Sequence, residues 1–294
     1  MAILYPVIVA VLGLGLIEVS YGSNILIFSG YGEGSHFMTA ALVGKELIRR
    51  GHNVTVLISN AYEHRANGTK YKDLRFEIFK HNDPPEVVRN RQEHFAKSVF
   101  EGTAMTEFFM NMSIVLDWFV DDCHALFNDE PLLKRLRQAN FDLAFVDPVW
   151  TCSLLVAEYA AKRHVSFMAT TWMNFIPRVN GNPSNTAFVP EWSTGFTNKM
   201  TFAQRVINSV ALAFSVWMTS STDSTSIIQQ THRICPDLQL YQLYQRSHLL
   251  LVNVDFAMEY PIPVMPHVIP VGGLSAEPAN NLSLKKLVKN AGDV

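Results

Sequence analysis

Residues 28–38 read FSGYGEGSHFM and join the end of a strand to the start of a helix. The strand is NILIFSG at 24–30, an apolar run that is rich in Ile and bounded by glycine, as in buried parallel strands. The helix spans 36–50, where apolar residues recur at helical spacing after Ser35, which is placed to cap it. A second strand, NVTVLIS, follows at 53–59. Together they form a βαβ unit, which predicts a right-handed parallel crossover.

The same alternation continues along the chain. We predict further strands at 74–80, 141–147, 165–171 and 248–255, and helices within 86–139 and at 151–163, 201–219 and 224–233. A proline-rich run follows the last strand, and the polar tail has the composition of a linker. The pattern predicts an α/β domain with an open, doubly wound and mostly parallel sheet.

The composition excludes some classes of protein. Of the 294 residues, 48% are hydrophobic and 17% are charged, which is typical of a packed globular chain and not of a disordered one. The formal net charge is −2, and Lys and Arg form no stripe along the sequence. We therefore expect no nucleic-acid partner.

The first 22 residues are interpreted as a signal peptide. Residues 3–17 are almost wholly apolar, and the small residues Ser20 and Gly22 suit a cleavage site. The run is shorter than the ~20 residues that a membrane span needs. The alternative is a buried N-terminal strand or helix.

Sequons and cysteines bear on the secretory pathway. Asn-x-Ser/Thr sequons begin at Asn53, Asn67, Asn111 and Asn281. They agree with a glycoprotein, although no glycan is expected at Asn53, which opens a predicted buried strand. The cysteines are Cys123, Cys152 and Cys235. Three are too few for a disulfide framework, but they allow one bridge and one free thiol.

The glycines of 28–38 raise the question of a dinucleotide-binding loop. Such a loop needs Gly-x-Gly-x-x-Gly, with an acidic residue at the end of the second strand. Here Ser35 stands where the third glycine belongs after Gly30 and Gly32, and the nearest acid, Glu63, lies four residues beyond that strand. An NAD(P)-dependent oxidoreductase is therefore the alternative that fits less well.

His36 and Asp147 are the candidate catalytic residues. Each follows a predicted strand, so both lie at the carboxyl edge, where open α/β sheets bind ligands. If the two strands are neighbours, the side chains meet, and a carboxylate on one ring nitrogen fixes the tautomer of a histidine general base. Asp147-Pro148 also fits a helix N-cap with proline at the first helical position, and both interpretations can hold.

Five stretches in sequence order carry a resemblance to a known family. They are GSHFM (34–38), GHNVTVL (51–57), FDLAFVDPVWTCSLLVAEY (141–159), MTFAQRVIN (200–208) and DFAMEYPIPVMPHVIPVGG (255–273). They resemble the UDP-glycosyltransferases, and among these the animal UDP-glucuronosyltransferases. The resemblance implies the N-terminal, acceptor-binding half of a GT-B glycosyltransferase, a Rossmann-like domain. It also implies that His36 takes the proton from the acceptor hydroxyl and that Asp147 orients this His.

The resemblance further implies a UDP-sugar as co-substrate. The acceptor oxygen attacks the anomeric carbon with inversion, and UDP leaves; the sugar is expected to be glucuronate or glucose. Gly34 and Ser35 of the GSH motif are the residues expected to contact the co-substrate, and neither another cofactor nor a metal is expected. The family resides in the endoplasmic reticulum, whose lumen fits the signal peptide. Homo- or hetero-oligomers are among the partners that the resemblance allows.

The donor signature of the family, a Gly-rich HGG-type segment near an Asp-Gln pair, does not occur in these residues, nor does its C-terminal membrane helix. We therefore interpret 23–275 as the acceptor-binding domain and 276–294 as the start of an interdomain linker. We expect the chain by itself to have no appreciable transferase activity. The alternative is a non-catalytic short form that binds lipophiles or regulates full-length enzymes.

Aromatic and Met-rich stretches are expected to line the acceptor pocket. They lie at 107–112, 117–119 and 171–177. A mostly apolar pocket of this kind fits a small lipophilic acceptor. Phe109, Trp172 and Phe175 are the candidate binding residues, and the alternative is that they belong to the core. The apolar segment 172–190 is a candidate for contact with the membrane surface.

Overall fold

The computed structural model describes residues 22–30, 32, 34–100, 118–170, 172–191, 194–221 and 224–276. Residues 1–21 of the predicted signal peptide, the predicted linker from 277 onward, Phe109 and the sequons at Asn111 and Asn281 lie outside these residues. The sequon at Asn67 is exposed, in the turn after a 3₁₀ helix at Asn60–Arg65.

Strands and helices alternate along the described residues. The strands are β1 (Asn24–Phe28), β2 (Asn53–Ser59), β3 (Arg75–Phe79), β4 (Leu143–Val146), β5 (His164–Met168), β6 (Leu250–Val252) and β7 (Val268–Pro270). The helices are α1 (Gly34–Arg49), α2 (Pro85–Phe100), α3 (118–128), α4 (Glu130–Gln138), α5 (Thr151–Ala160), α6 (Phe175–Val179), α7 (Phe202–Ser221), α8 (Ser224–His232) and α9 (Leu240–Gln245).

The strands form one sheet in the order β3-β2-β1-β4-β5-β6-β7. Every neighbouring pair runs parallel, so the predicted doubly wound parallel sheet is confirmed. The order reverses between β1 and β4, because the chain winds outward from β1 to β3 and then returns to the other side of β1. In open α/β sheets, ligands bind in the crevice at this reversal, beyond the carboxyl ends of the strands.

Both faces of the sheet are covered, which explains why β1 is apolar at every position from Ile25 to Phe28. Successive side chains of a strand point to opposite faces. Leu26 and Phe28 belong to one buried cluster, whereas Ile25 and Ile27 belong to a second, which includes Phe37 of α1. A strand that is buried on both faces shows a continuous apolar run and no alternation.

β7 is the main departure from the sequence-based prediction. It lies inside the proline-rich run and forms the edge of the sheet, with Pro270 opposite Val252 of β6. Proline has no N–H to donate to a ladder, so a strand that contains it is tolerated at an edge. α6 and α9 also depart from the prediction, because helices of five and six residues are too short to show a helical period.

α7 presents an apolar stripe to solvent. The stripe falls within an arc of about 140° at 3.6 residues per turn. It consists of Phe202, Val206, Ile207, Val210, Phe214 and Trp217, each 46–75% exposed. The inner side of α7 is held by Asn208, which is fully buried and binds the backbone of Glu191 and Val189. No helix among the described residues is long and apolar enough to cross a membrane.

A disulfide fastens α3 to the start of α5. Cys123 and Cys152 are both buried, and their Cα atoms lie 5.7 Å apart. Cys235 is a free thiol and is half-buried. Of the arrangements that three cysteines allow, the structure has one bridge and one free thiol. The bridge ties α3, which lies before β4 in the chain, to α5, which follows β4.

Replacing Cys152 by Ser is expected to lower the free energy of unfolding by about 3–4 kcal/mol, because the bridge spans 29 residues and restricts the unfolded chain. Urea denaturation under non-reducing conditions measures the change. Cys235→Ser is the matched control and should alter stability by less than about 1 kcal/mol. A thiol titration of the denatured, unreduced chain should find one reactive thiol, and three would contradict the pairing.

Candidate active site at the strand-order reversal

The structure brings His36 and Asp147 together. β1 pairs with β4, with Phe28 opposite Val146, so the segments that follow the two strands lie side by side. Nδ1 of His36 is 2.5 Å from Oδ2 of Asp147. The carboxylate is fully buried, whereas the His36 side chain is 19% exposed. The imidazole therefore contacts a buried carboxylate through one nitrogen and is itself partly accessible to solvent.

The Asp147 carboxylate has further partners besides His36. The backbone N–H of Val149 donates to Oδ1 at 3.0 Å, and the hydroxyl of Ser29 lies 3.4 Å from Oδ2. Ser29 is buried directly after β1, and its single hydroxyl proton is shared between this oxygen and the carbonyl of His36, which lies 3.2 Å away. A buried carboxylate is stable only when it is paired and hydrogen-bonded in this way.

The predicted N-cap role of Asp147 is wrong. α5 begins at Thr151 and its N-cap is Trp150, so Asp147 lies outside the helix. Its side chain bonds the backbone N–H two residues ahead, which is the local turn that Asp favours. Ser35 does not cap α1 either, because α1 begins at Gly34 and Ser35 lies in its first turn.

Two side chains, one from the first turns of α5 and one from α9, hold the backbone around Asp147. The hydroxyl of Ser153 donates to the carbonyl of Asp147 at 2.5 Å. Tyr244 of α9 donates to the carbonyl of Pro148 at 3.0 Å. Complete burial, and with it the nearby Asp147 charge, raises the pKa of the Tyr244 phenol, so this hydroxyl stays protonated as a donor. Sequence reasoning missed Ser29, Ser153 and Tyr244, since nothing local distinguishes them from core residues.

The glycine loop turns the chain from β1 into α1. Gly32 has a φ of 115°, and a Cβ at this position would lie 2.8 Å from Cβ of Tyr62. Gly34 also has a positive φ, 54°, but a Cβ there would meet nothing within 4 Å. The loop therefore needs glycine at 32 for space as well as for conformation.

One aromatic residue lies beside His36, and a second packs against the first. The ring of Trp150 stands edge-on to the imidazole with 6.0 Å between centroids, and Phe119 of α3 stands edge-on to Trp150 at 4.2 Å. Both aromatic residues are partly exposed. The sequence analysis placed the stretch that contains Phe119 at the acceptor pocket. It assigned no role to Trp150, which occurs only within the family-like stretch 141–159.

The other predicted site residues are spread more widely. Gly34 and Ser35 are exposed at the start of α1. Trp172 is buried, donates from Nε1 to Asn174 at 2.7 Å and lines a cleft of about 180 Å³ that does not include His36. Phe175 is partly buried and packs against the core. Within the described part of the chain, no group of three or more His, Cys, Asp or Glu could hold a metal ion.

The fold is that of the N-terminal half of a GT-B glycosyltransferase. A solved structure described as the glycotransferase of kitacinnamycin superposes on 90% of this chain and 54% of its own chain, with a TM-score of 0.51. The two sequences are 12% identical, so this likeness concerns the fold alone.

The family model described as UDP-glucoronosyl and UDP-glucosyl transferase matches residues 24–293, and the chain belongs to this family. UDP-glucuronosyltransferase 1A10 of Homo sapiens is 30% identical over 265 residues, which cover 86% of this chain and 48% of the relative. UDP-glucuronosyltransferase 1A6 of Mus musculus is 29% identical over 256 residues, covering 85% and 47%. The chain thus spans about half the length of the curated relatives it matches, and the predicted family is confirmed.

Gly32→Ala is expected to destabilise the chain by about 3 kcal/mol, because the added methyl both strains the backbone and collides with Tyr62. Gly34→Ala is the matched control. It meets open space and should cost only about 1 kcal/mol for its left-handed φ. Urea unfolding compares the two variants, and equal losses would contradict the steric part of the argument.

Proposed function

We propose that this chain supplies the acceptor-binding and proton-accepting half of a UDP-sugar-dependent glycosyltransferase. His36 is the general base and Asp147 is the residue that orients it. The observation that carries the proposal is the 2.5 Å contact between a partly exposed imidazole and a fully buried carboxylate at the strand-order reversal. A family member with this pair at the ligand-binding edge of its sheet has the parts that deprotonation of a hydroxyl needs.

The contact with Asp147 assigns the two ring nitrogens. With the Nδ1 proton donated to the carboxylate, the neutral ring carries its lone pair on Nε2. Nε2 then accepts the proton of a bound hydroxyl, and the buried carboxylate stabilises the imidazolium that forms. Because Asp147 is also held by Val149 and Ser29, the imidazole is oriented by a fixed partner.

Removal of this proton accompanies the transfer of the sugar. As Nε2 of His36 takes the proton, the acceptor oxygen forms a bond to the anomeric carbon of the UDP-sugar and the bond from that carbon to the UDP oxygen breaks. UDP leaves with the electron pair, and the anomeric configuration inverts. We assign glucuronate or glucose as the sugar. Gly34 and Ser35 are proposed to contact the co-substrate, supported by their exposure at the first turn of a 16-residue helix, where backbone N–H groups favour phosphate.

The acceptor is proposed to be a small lipophilic alcohol or phenol. The aromatic residues beside His36 support an apolar binding surface at the base. Phe175 packs against the core and Trp172 is buried. We therefore propose that they shape the acceptor site by supporting its wall and do not contact the acceptor directly. Phe109 stays a prediction.

We also propose that the chain acts in the lumen of the endoplasmic reticulum. The Cys123–Cys152 disulfide supports an oxidising compartment, because such bridges are rare in the cytosol. The exposed sequon at Asn67 supports N-glycosylation, since an acceptor asparagine must lie on the surface.

The base can be tested in this chain joined to the C-terminal half of UDP-glucuronosyltransferase 1A10. His36→Ala is expected to lower kcat by about 10²–10⁴-fold, the usual contribution of a general base. Asp147→Asn should also lower kcat by at least about 10²-fold, because an amide can hold the wrong tautomer. Initial rates with UDP-glucuronate and a phenol measure both effects.

The matched control for the base is His248→Ala. His248 is exposed and precedes β6, so it lies at the amino edge of the sheet, away from His36. Its loss should leave kcat unchanged. Acceptor binding, measured by titration of the 294-residue chain, should survive His36→Ala. Retained turnover in the His36 variant would contradict the proposed role.

Membrane-surface contact is proposed for α7 rather than for 172–190. In the 172–190 segment, Trp172, Ile176, Val179 and Val189 are buried. α7 instead exposes its apolar stripe, and residues 194–221 contain Lys199 and Arg205 but no Asp or Glu. This combination of an apolar face with cations and without carboxylates complements an anionic lipid surface.

Replacing Phe202 and Trp217 together by Ser is expected to abolish most binding to phosphatidylserine-containing vesicles. The reason is that these are the two most exposed aromatic side chains of the stripe. Co-sedimentation with vesicles measures the loss. Met258→Ser is the control, because Met258 is 92% exposed but lies outside α7. If the double variant instead dissociates a dimer and leaves lipid binding intact, the stripe contacts a second copy.

A further inference from the structure

We propose that Trp150, backed by Phe119, determines acceptor specificity by holding a flat aromatic ring beside His36. The class of acceptor that this wall selects is a phenol rather than a saturated alcohol of the same size. The proposal rests on the assignment of His36 as the base and adds the residue that positions the acceptor ring against it.

Trp150 is fixed relative to the catalytic pair by the backbone. The backbone N–H of Trp150 donates to the carbonyl of Asp147 at 3.2 Å. The turn that positions the carboxylate therefore also positions the indole. Its ring lies 6.0 Å from the imidazole, at an angle of 70° between the planes. A ring stacked parallel to Trp150 therefore stands at a steep angle to the plane of the neighbouring imidazole.

Phe119 and the disulfide keep the indole in this position. Phe119 packs edge-on against Trp150 with 4.2 Å between centroids. It lies one helical turn before Cys123, and Trp150 lies two residues before Cys152. The bridge between the two cysteines thus clamps the elements that carry the two aromatic residues. A clamped wall offers a ligand a preorganised surface, which lowers the entropy lost on binding.

The chemistry of the wall favours an aromatic partner. Nε1 of Trp150 is buried, so the ring meets a ligand with carbon and not with a polar group. Aromatic rings associate in offset-stacked or edge-to-face geometries, which a puckered saturated ring cannot match. A phenol hydroxyl lies in the plane of its ring, so a phenol stacked on Trp150 keeps its hydroxyl alongside the wall, and we place it against the imidazole. A phenol also loses its proton near pH 10, which makes it a suitable substrate for one histidine base.

The test uses two probes with the same carbon skeleton, aromatic 4-ethylphenol and saturated trans-4-ethylcyclohexanol, titrated into the 294-residue chain by ligand-observed NMR. The chain should bind the phenol more tightly. Trp150→Leu should raise the Kd for the phenol by about 3- to 10-fold and change the Kd for the cyclohexanol by less than about twofold. Trp150→Phe should restore most of the selectivity, because it returns a flat ring.

Two further variants separate recognition from folding. Trp217→Leu, on the exposed stripe of α7, is the matched tryptophan control and should leave both Kd values unchanged. Phe119→Leu removes only the backing ring and should give an intermediate loss for the phenol. Thermal unfolding of each variant confirms that it is folded. Equal weakening of both probes by Trp150→Leu, or none of either, would overturn the proposal.

The outcome is distinguishable from a failure of the proposed function. If His36→Ala abolishes transfer in the joined enzyme but the phenol preference ignores Trp150, the base stands and the wall is wrong. If the preference follows Trp150 but His36→Ala leaves transfer intact, Trp150 binds rings and the assignment of the base is wrong.

Discussion

β1 is hydrogen-bonded in parallel to β4, a strand that follows it by more than a hundred positions, and the site depends on this pairing. Parallel neighbours end at the same edge, so α1 and the turn after β4 begin next to each other. His36 and Asp147, 111 positions apart, meet there as a result. The contact is a property of the sheet, and the glycine loop and the Asp147 turn only aim the two side chains once the strands are paired.

Burial of the Asp147 carboxylate constrains the residues around it. A charge without access to water needs hydrogen-bond donors, and Val149, Ser29 and His36 surround its two oxygens. Ser153 and Tyr244 then hold the neighbouring backbone carbonyls. The carboxylate is thus a fixed point in the core, and the partly exposed imidazole is the part of the pair that can reach a ligand.

Much of the fold could be predicted from local patterns, whereas the position of Trp150 beside His36 could not. Trp150, Trp172 and Trp217 are the same type of residue in apolar stretches of the sequence, but their environments in the fold differ. Trp150 lies beside His36, Trp172 is buried and Trp217 is exposed on α7. The rings that contact Trp150, those of His36 and Phe119, belong to other segments of the chain. Side-chain periodicity reports which face of an element is apolar, but α7 turns its apolar face outward, so the pattern alone does not reveal burial.

The sequence by itself determined the βαβ start, the order of most strands and helices, and the positions of His36 and Asp147 at strand ends. These features depend on neighbouring residues, because hydrophobic period, glycine and turn chemistry act over a few positions. Only the tertiary structure decided that β4 lies beside β1 and that the proline-containing β7 forms an edge of the sheet. It also decided that Cys123 pairs with Cys152 and that Trp150 lies beside His36. Each is a contact between distant segments, and the burial of the whole chain selects it.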